Sequence, residues 1–295
     1  MRKAVIDLGT NTFNILIADV GENEFTVLHS EKEGVSLGMG GINQNIISPE
    51  AFQRGINAIR NFKLICINHN VNNIRAFGTS ALRGAKNADV FVKQIKDELE
   101  IDINIISGEK EAELIYNGVK WSYNFENPGV IMDIGGGSTE FIFADKNGMN
   151  EMVSLDIGVS RIYQELSLND PFTEKDINKI NDWLDSKEKK FFEGKKSELL
   201  IGASGSFETF YELIHNEPFP EAIRSIEVPM KDFNSIIDEI LYSSQEDRNQ
   251  NKFIINIRKK MAPIAAAKVK WIIKKLGITR VIISPCSLKE GALRI

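Results

Sequence analysis

The sequence predicts an α/β protein built as two domains of like topology with a cleft between them. Short β-branched runs alternate with amphipathic helical stretches along the whole chain. The segment VIDLGTNTFNILIAD (Val5–Asp19) matches IMDIGGGSTEFIFAD (Ile131–Asp145) without a gap, at a constant offset of 126 residues. A length of 295 residues accommodates two cores, and two copies this far apart are not a solenoid, which needs several shorter repeats.

The elements follow in order. Ala4–Leu8, Phe13–Val20 and Phe25–His29 are expected as consecutive strands. A helix starts at Ser48-Pro49-Glu50, with Ser48 as N-cap and Pro49 in the first turn, and Phe52, Ile56, Ile59 and Phe62 recur at three- and four-residue steps. Strands near Asn73–Phe77 and Ile101–Ile106 alternate with helices over Asp89–Leu99 and Glu109–Trp121. The polar stretch Tyr123–Gly129, closed by Pro128-Gly129, is the expected boundary, with domain I over 1–121 and domain II over 122–295. Strands restart at Val130–Ile134 and Phe141–Ala144, and a charge-dense surface helix is expected over Thr173–Phe192. Lys252–Lys275 interleaves basic and apolar residues at helical spacing, which suits a core helix with a basic outer face better than a polyanion-binding face.

Composition narrows the function. With 36 basic against 41 acidic residues the formal charge is −5, which argues against a general nucleic-acid binder but leaves room for an anionic substrate in a locally basic cleft. The start MRKAVIDLG lacks the apolar core of a signal peptide, and no apolar run approaches a membrane span. Cys66 and Cys286, the only cysteines, suggest neither a disulfide framework nor a metal knuckle, so a cytoplasmic protein is expected. His29, His69 and His215 lack metal-ligand spacing and read as surface or turn residues.

The repeated turn carries the chemistry. Each copy reads as strand, Asp, Gly-containing turn, hydroxyl residue, second strand. Glycine can adopt backbone conformations closed to other residues and leaves no side chain between main chain and ligand, and successive amides in such a turn form an anion site. Gly9, Thr10, Asn11 and Thr12 in one copy and Gly135, Gly136, Gly137, Ser138 and Thr139 in the other are therefore candidate phosphate binders. Asp7 and Asp133, at the strand ends, suit Mg²⁺, which favours carboxylates, waters and phosphate oxygens. An ordinary hairpin would explain one such turn, but not a duplicated one carrying three consecutive glycines. Neither a G-x-x-x-x-G-K-[ST] loop nor a G-x-G-x-x-G fingerprint is present. Gly202-Ala203-Ser204-Gly205 only superficially resembles a nucleophile elbow, since Ser206 replaces the second glycine of G-x-S-x-G.

These residues resemble the phosphate motifs of the actin, heat-shock chaperone and sugar-kinase superfamily. More closely, over nearly the whole chain, the sequence is similar to the exopolyphosphatase / guanosine pentaphosphate phosphatase family. AVIDLGTNTFNILI and MDIGGGSTE stand for its two phosphate motifs, with GTSALR (Gly78–Arg83), ISGEKEAELIYNGV (Ile106–Val119), IGASGS (Ile201–Ser206) and SLKEG (Ser287–Gly291) in the family's order. The resemblance implies two actin-like (ribonuclease H-like) ATPase domains, with the last helix, about 288–295, packed back on domain I. It implies Glu111 as the general base and Arg83 as a phosphate clamp. Metal would be held by Asp133 and Glu140, with Asp7 ordering its water shell, and phosphate contacts would include Gly202, Ser204, Gly205 and Ser206. Periodicity does not single out Glu111 from Glu109 and Glu113, since all three crowd a predicted first helical turn, where acids are favoured anyway. Arg83 by itself reads as a surface arginine.

The implied activity is hydrolysis of the terminal phosphate of inorganic polyphosphate, with Mg²⁺ or, alternatively, Mn²⁺. Guanosine pentaphosphate is the alternative substrate; an ATP-dependent kinase and a non-catalytic polyphosphate or nucleotide sensor rank lower. No nucleic acid or membrane partner is expected, and a homodimer stays open. Lys289 stands where the family usually has Arg, and Met261–Ala265 lacks a glycine common there. Longer members carry helical C-terminal domains without counterpart here, so reduced long-chain processivity is expected.

Overall fold

The computed structural model describes residues 1–22, 24–188 and 190–295. A first sheet has the order β3-β2-β1-β4-β5, formed by β1 (Arg2–Leu8), β2 (Thr12–Val20), β3 (Phe25–Gly34), β4 (Ile74–Gly78) and β5 (Ile103–Ile105). A second sheet has the order β10-β11-β9-β6-β7-β8, formed by β6 (Gly129–Ile134), β7 (Thr139–Asp145), β8 (Gly148–Leu155), β9 (Leu199–Ala203), β10 (Ile226–Val228) and β11 (Arg280–Ile283). In each sheet two hairpins in succession are followed by strands parallel to the first, β1 pairing β4 as β6 pairs β9, and the second sheet adds β10 antiparallel to β11 at its edge. This shared plan is the actin-like α/β fold that the sequence predicts. Both hairpin sets even carry a register shift at matching positions, between Ile17 and Ala18 and between Phe143 and Ala144.

Helices cover the sheets. Against the first lie α1 (Pro49–Asn68), the short α2 (Ser80–Gly84) and α3 (Ala88–Leu99), burying Ile56, Ile59, Phe62 and Phe91. The Ser48 hydroxyl accepts from the Ala51 amide at 3.3 Å, as an N-cap should. The second sheet's outer face is covered by α5 (Val159–Glu165), α6 (Glu174–Lys187), α7 (Gly205–His215), α8 (Met230–Tyr242) and α10 (Ala262–Leu276), with α9 (Gln245–Gln250) alongside. Between the sheets lie α4 (Gly108–Val119) and the C-terminal α11 (Leu288–Gly291), whose apolar residues meet Val5 and Leu16 from one sheet and Ile131 and Ile142 from the other. The C-terminal segment is tied to the first sheet: the Lys3 ammonium donates to the Leu293 carbonyl at 2.8 Å, and the Trp121 indole to the Glu290 carbonyl at 3.1 Å.

Helices α4 and α11 pack backbone against backbone. A Cβ on Gly118 would lie 1.8 Å from the Ser287 carbonyl oxygen, and one on Gly291 1.8 Å from that of Leu114. Neither obstacle is a movable side chain. Gly118→Ala is therefore expected to destabilise the protein by about 3 kcal/mol, read as a lower urea midpoint at unchanged slope.

Three elements depart from the sequence reading. Strand β3 continues past His29 to Gly34. Its extension, Ser30-Glu31-Lys32-Glu33, is polar because this is an edge strand, where charge blocks pairing with other chains. The basic segment from Lys252 becomes helical only at Ala262, because Pro263 fits a first turn but not a helix interior. The surface helix expected over Thr173–Phe192 ends at Lys187, and Lys189 lies outside the described residues. No helix among the described residues is long and apolar enough to cross a membrane. Both cysteines are buried and free.

Candidate active site

The two turns of the repeat face one cavity, lined by Gly9–Thr12 from the first and Gly135–Ser138 from the second. Their glycines serve close approach, not unusual backbone conformation, since none of them has a positive φ. A Cβ on Gly136 would sit 2.8 Å from Asn11 Cγ, and one on Gly137 2.6 Å from Thr10 Oγ1 and 2.5 Å from Ser80 Oγ. Side chains there would push the turns apart. The carbonyls of Gly135, Gly136 and Gly137 are taken by the amides of Val159, Ser160 and Gly158. The amides of Gly136, Gly137 and Ser138 find no acceptor among the described residues, so the turn offers a row of free donors. The Ser80 hydroxyl, also on this cavity, is buried without a partner.

The strand ends explain how charge is distributed. In the first hairpin Asp7 lies opposite Asn14, whose amide donates to Asp7 Oδ2 at 3.0 Å. At the same register of the second, Asp133 lies opposite Glu140. Like charges directly opposite one another are unfavourable. Glu140 is 1% exposed and Asp133 8%. Burial pushes both carboxyls up, and each is raised further by a neighbouring acid. Asp133 accepts from Ser287 and Ser204, and Glu140 from Ser154 at 2.6 Å. Burial also pushes the Asp7 carboxyl to about 7 against the Asn14 hydrogen bond, with Asp133 adding to the rise.

Glu111 comes from the first turn of α4, capped by Ser107, whose hydroxyl accepts from the Lys110 amide at 3.1 Å. Of the three glutamates near that end, Glu111 alone is buried and reaches the cavity. Burial raises its carboxyl to about 7, against the pull of Arg83, which donates to Glu111 Oε2 at 2.8 Å and to the Ile106 carbonyl at 3.1 Å. Arg83 itself does not line the cavity; it holds Glu111.

Ser204, Gly205 and Ser206 line the opposite wall, but Gly202 does not. Gly202 is buried in β9, where a Cβ would lie 2.0 Å from the Phe207 ring, so it serves packing. Ser204 has φ 69°, a conformation that costs free energy and marks functional loops.

Several participants escaped the sequence reading. The Lys268 ammonium is fully buried on α10, donating to Thr139 Oγ1 and to the Ile157 carbonyl, which places a cation behind Glu140 and Asp133. Ser160 donates to Asn11 Oδ1 at 2.5 Å and so links the two turns. Lys32, Glu208 and Arg258 share the cavity wall. Within Arg258–Lys275, only Arg258 among the basic residues lines the cavity; Lys270 and Lys275 pair outward with Asp238 and Asp185. The signals were present but ambiguous: a lysine amid alanines at Lys268, and charge in an edge strand at Lys32.

A hard divalent cation fits these donors. Two facing buried carboxylates, with one lysine behind them, leave an uncompensated negative charge of the kind that Mg²⁺ offsets. Among the described residues no three His, Cys, Asp or Glu side chains close on an ion.

Duplicated turns lining one cavity, on this fold, define the class, an actin-like α/β enzyme. Residues 16–294 match the Ppx/GppA phosphatase family. The chain belongs to that family. Over its whole length it superposes on an exopolyphosphatase from Cytophaga hutchinsonii at 33% identity, covering 97% of that chain with a TM-score of 0.95. A Ppx/GppA enzyme from Aquifex aeolicus shares the fold at 24% identity and a TM-score of 0.82, covering 99% of this chain and 98% of that one. Among curated relatives, a bifunctional 3-dehydroquinate synthase/phosphatase of Fusobacterium nucleatum is 34% identical over 70% of this chain. A guanosine-5'-triphosphate,3'-diphosphate pyrophosphatase of Photobacterium profundum is 37% identical over 52% of it. The matches span about a third of each of those relatives, 33% and 31%.

Proposed function

We propose that the chain is an exopolyphosphatase, transferring the terminal phosphoryl group of inorganic polyphosphate to water. The observation that carries the reading is the placement of Glu111 on the cavity that both phosphate turns line. Glu111, oriented by Arg83, takes the proton of the attacking water, and a carboxyl near 7 is poised for that task. The free amides of Gly136, Gly137 and Ser138 receive the equatorial oxygens of the transferred group, with Ser80, Thr10 and Thr12 as further donors. Asp133 and Glu140 would hold Mg²⁺, and Asp7 would order its waters; the bound ion would supply charge neutralisation at the phosphoryl group. The fit of donors favours Mg²⁺, and Mn²⁺ shares that oxygen chemistry.

Polyphosphate is favoured over guanosine pentaphosphate by the rest of the wall. Lys32, Arg258 and Lys289 line it and suit a short run of phosphates, with Lys32 and Lys289 already paired to Glu208 and Glu290 and Arg258 carrying no carboxylate partner among the described residues. Phe207 and Phe210, the aromatic residues beside the GASGS loop, are 0% and 1% exposed and pack on Phe233, so their faces are not free to stack a base. In side-by-side assays at equal Mg²⁺, a higher kcat/KM is expected for short polyphosphate than for guanosine pentaphosphate or ATP. The reverse order between the first two would transfer the assignment to the nucleotide and leave the hydrolytic chemistry intact.

A further inference from the structure

On the wall facing the turns, a carboxylate stands among cations. Glu208, in the first turn of α7, receives the ammonium of Lys32, which reaches it from the edge strand of the other sheet. The side chains of Lys32 and Glu208 are 33% and 19% exposed, so the pair sits at the cavity surface and not beneath it. The Arg258 guanidinium lies directly on Gly205 at the start of the same helix, where a Cβ would be 1.7 Å from its Nη2, and it donates to Thr209 Oγ1 at 3.1 Å. Lys289 also lines this wall, but is engaged by Glu290 at 2.7 Å. Burial alone would raise the Glu208 carboxyl; Lys32, Lys289 and Arg258 outweigh it and leave the group below its ordinary value, an anion at neutral pH.

Lys32 and Arg258 thus stand on one wall of the cavity that the two turns line, and Glu208 already pairs with Lys32 and lies within the field of Arg258. We propose that Glu208 is a specificity-determining residue: its carboxylate takes Lys32, beside Arg258, where the next phosphate of a chain would otherwise bind, and so selects against extended polyanions. The inference rests on the reading that a terminal phosphate sits between the turns. With Glu208 in place, a phosphate that reaches Lys32 must displace a resident carboxylate. Glu208 lies two positions after the GASGS loop, and its charge reaches Asp133, whose carboxyl it helps to raise.

The test is calorimetric binding of the non-hydrolysable imido analogue of tripolyphosphate, with inorganic phosphate as the single-unit control. Glu208→Gln is expected to tighten the analogue by roughly tenfold, the effect of one like charge removed from a desolvated anion seat, and to change phosphate affinity less than about twofold. Lys32→Ala should weaken the analogue more in the Glu208→Gln background than in the unaltered protein, since only there is Lys32 free to take phosphate. Unchanged or weaker binding in both Glu208→Gln and Glu208→Ala, with native circular dichroism, overturns the inference and makes Glu208 a support for the two cations. Turnover is measured separately. Binding that behaves as expected in a protein that hydrolyses no polyphosphate would sink the proposed activity and leave the role of Glu208 standing.

Discussion

Glu111→Gln is expected to lower turnover by about 10²–10⁴-fold while the protein stays folded, the usual contribution of a positioned general base. The substitution keeps shape and can still accept a hydrogen bond from Arg83, which donates at 2.8 Å, but it cannot take a proton from water. The wild-type pH profile offers an independent check. Burial puts the Glu111 carboxyl at about 7, and the base works only when ionised, so kcat/KM of the free enzyme should climb through that pH. In the variant the residual rate should climb less steeply, with Asp7, also near 7, still contributing. Near-normal turnover in a folded Gln variant would remove Glu111 from the chemistry.

Chelation of divalent ions is expected to abolish activity, and added Mg²⁺ to restore it; Asp133→Asn should raise the Mg²⁺ requirement or eliminate turnover. A stability measurement separates the ion from the reaction. Burial raises the carboxyls of Asp7, Glu111, Asp133 and Glu140, so the ion-free fold binds more protons than the unfolded chain above pH 4. Stability contributed by their protonated forms is therefore lost as pH rises from about 4 through about 7. A cation bound to the carboxylates offsets that loss only where they are ionised, so Mg²⁺ should raise Tm more at pH 8 than at pH 5. An equal shift at both values, or full activity after chelation, would exclude these carboxylates as the metal site.

The repeated turns were legible in sequence because their chemistry is local: Asp, Gly and a hydroxyl residue within six positions need no knowledge of packing. The same holds for Ser48, where cap and proline adjoin. Glu111 was not legible from its neighbours, since which of Glu109, Glu111 and Glu113 turns inward depends on how α4 sits between the sheets. Lys268 was misleading for a related reason. In a basic helix a lysine is expected to face water, yet this one ends on Thr139 and Ile157, residues more than a hundred positions away. Arg83 has a partner that the motif did not reveal, since its pairing with Glu111 depends on how α2 and α4 come together. Gly136 and Gly137 of the second turn make room for Asn11, Thr10 and Ser80, a tertiary reason that their own neighbours in the sequence do not reveal.

The register shifts at Ile17/Ala18 and Phe143/Ala144 lie 126 residues apart, the offset of the repeat itself. A bulge has no part in binding phosphate at the far end of the hairpin, so shared function does not account for its recurrence. It marks the two hairpin sets as copies of one plan, down to an irregularity outside the turns. The paired residues opposite each other then record how the halves parted ways. One copy has Asn14 where the other has Glu140, and this single difference turns one half into a seat for a neutral hydrogen bond and the other into a seat for charge.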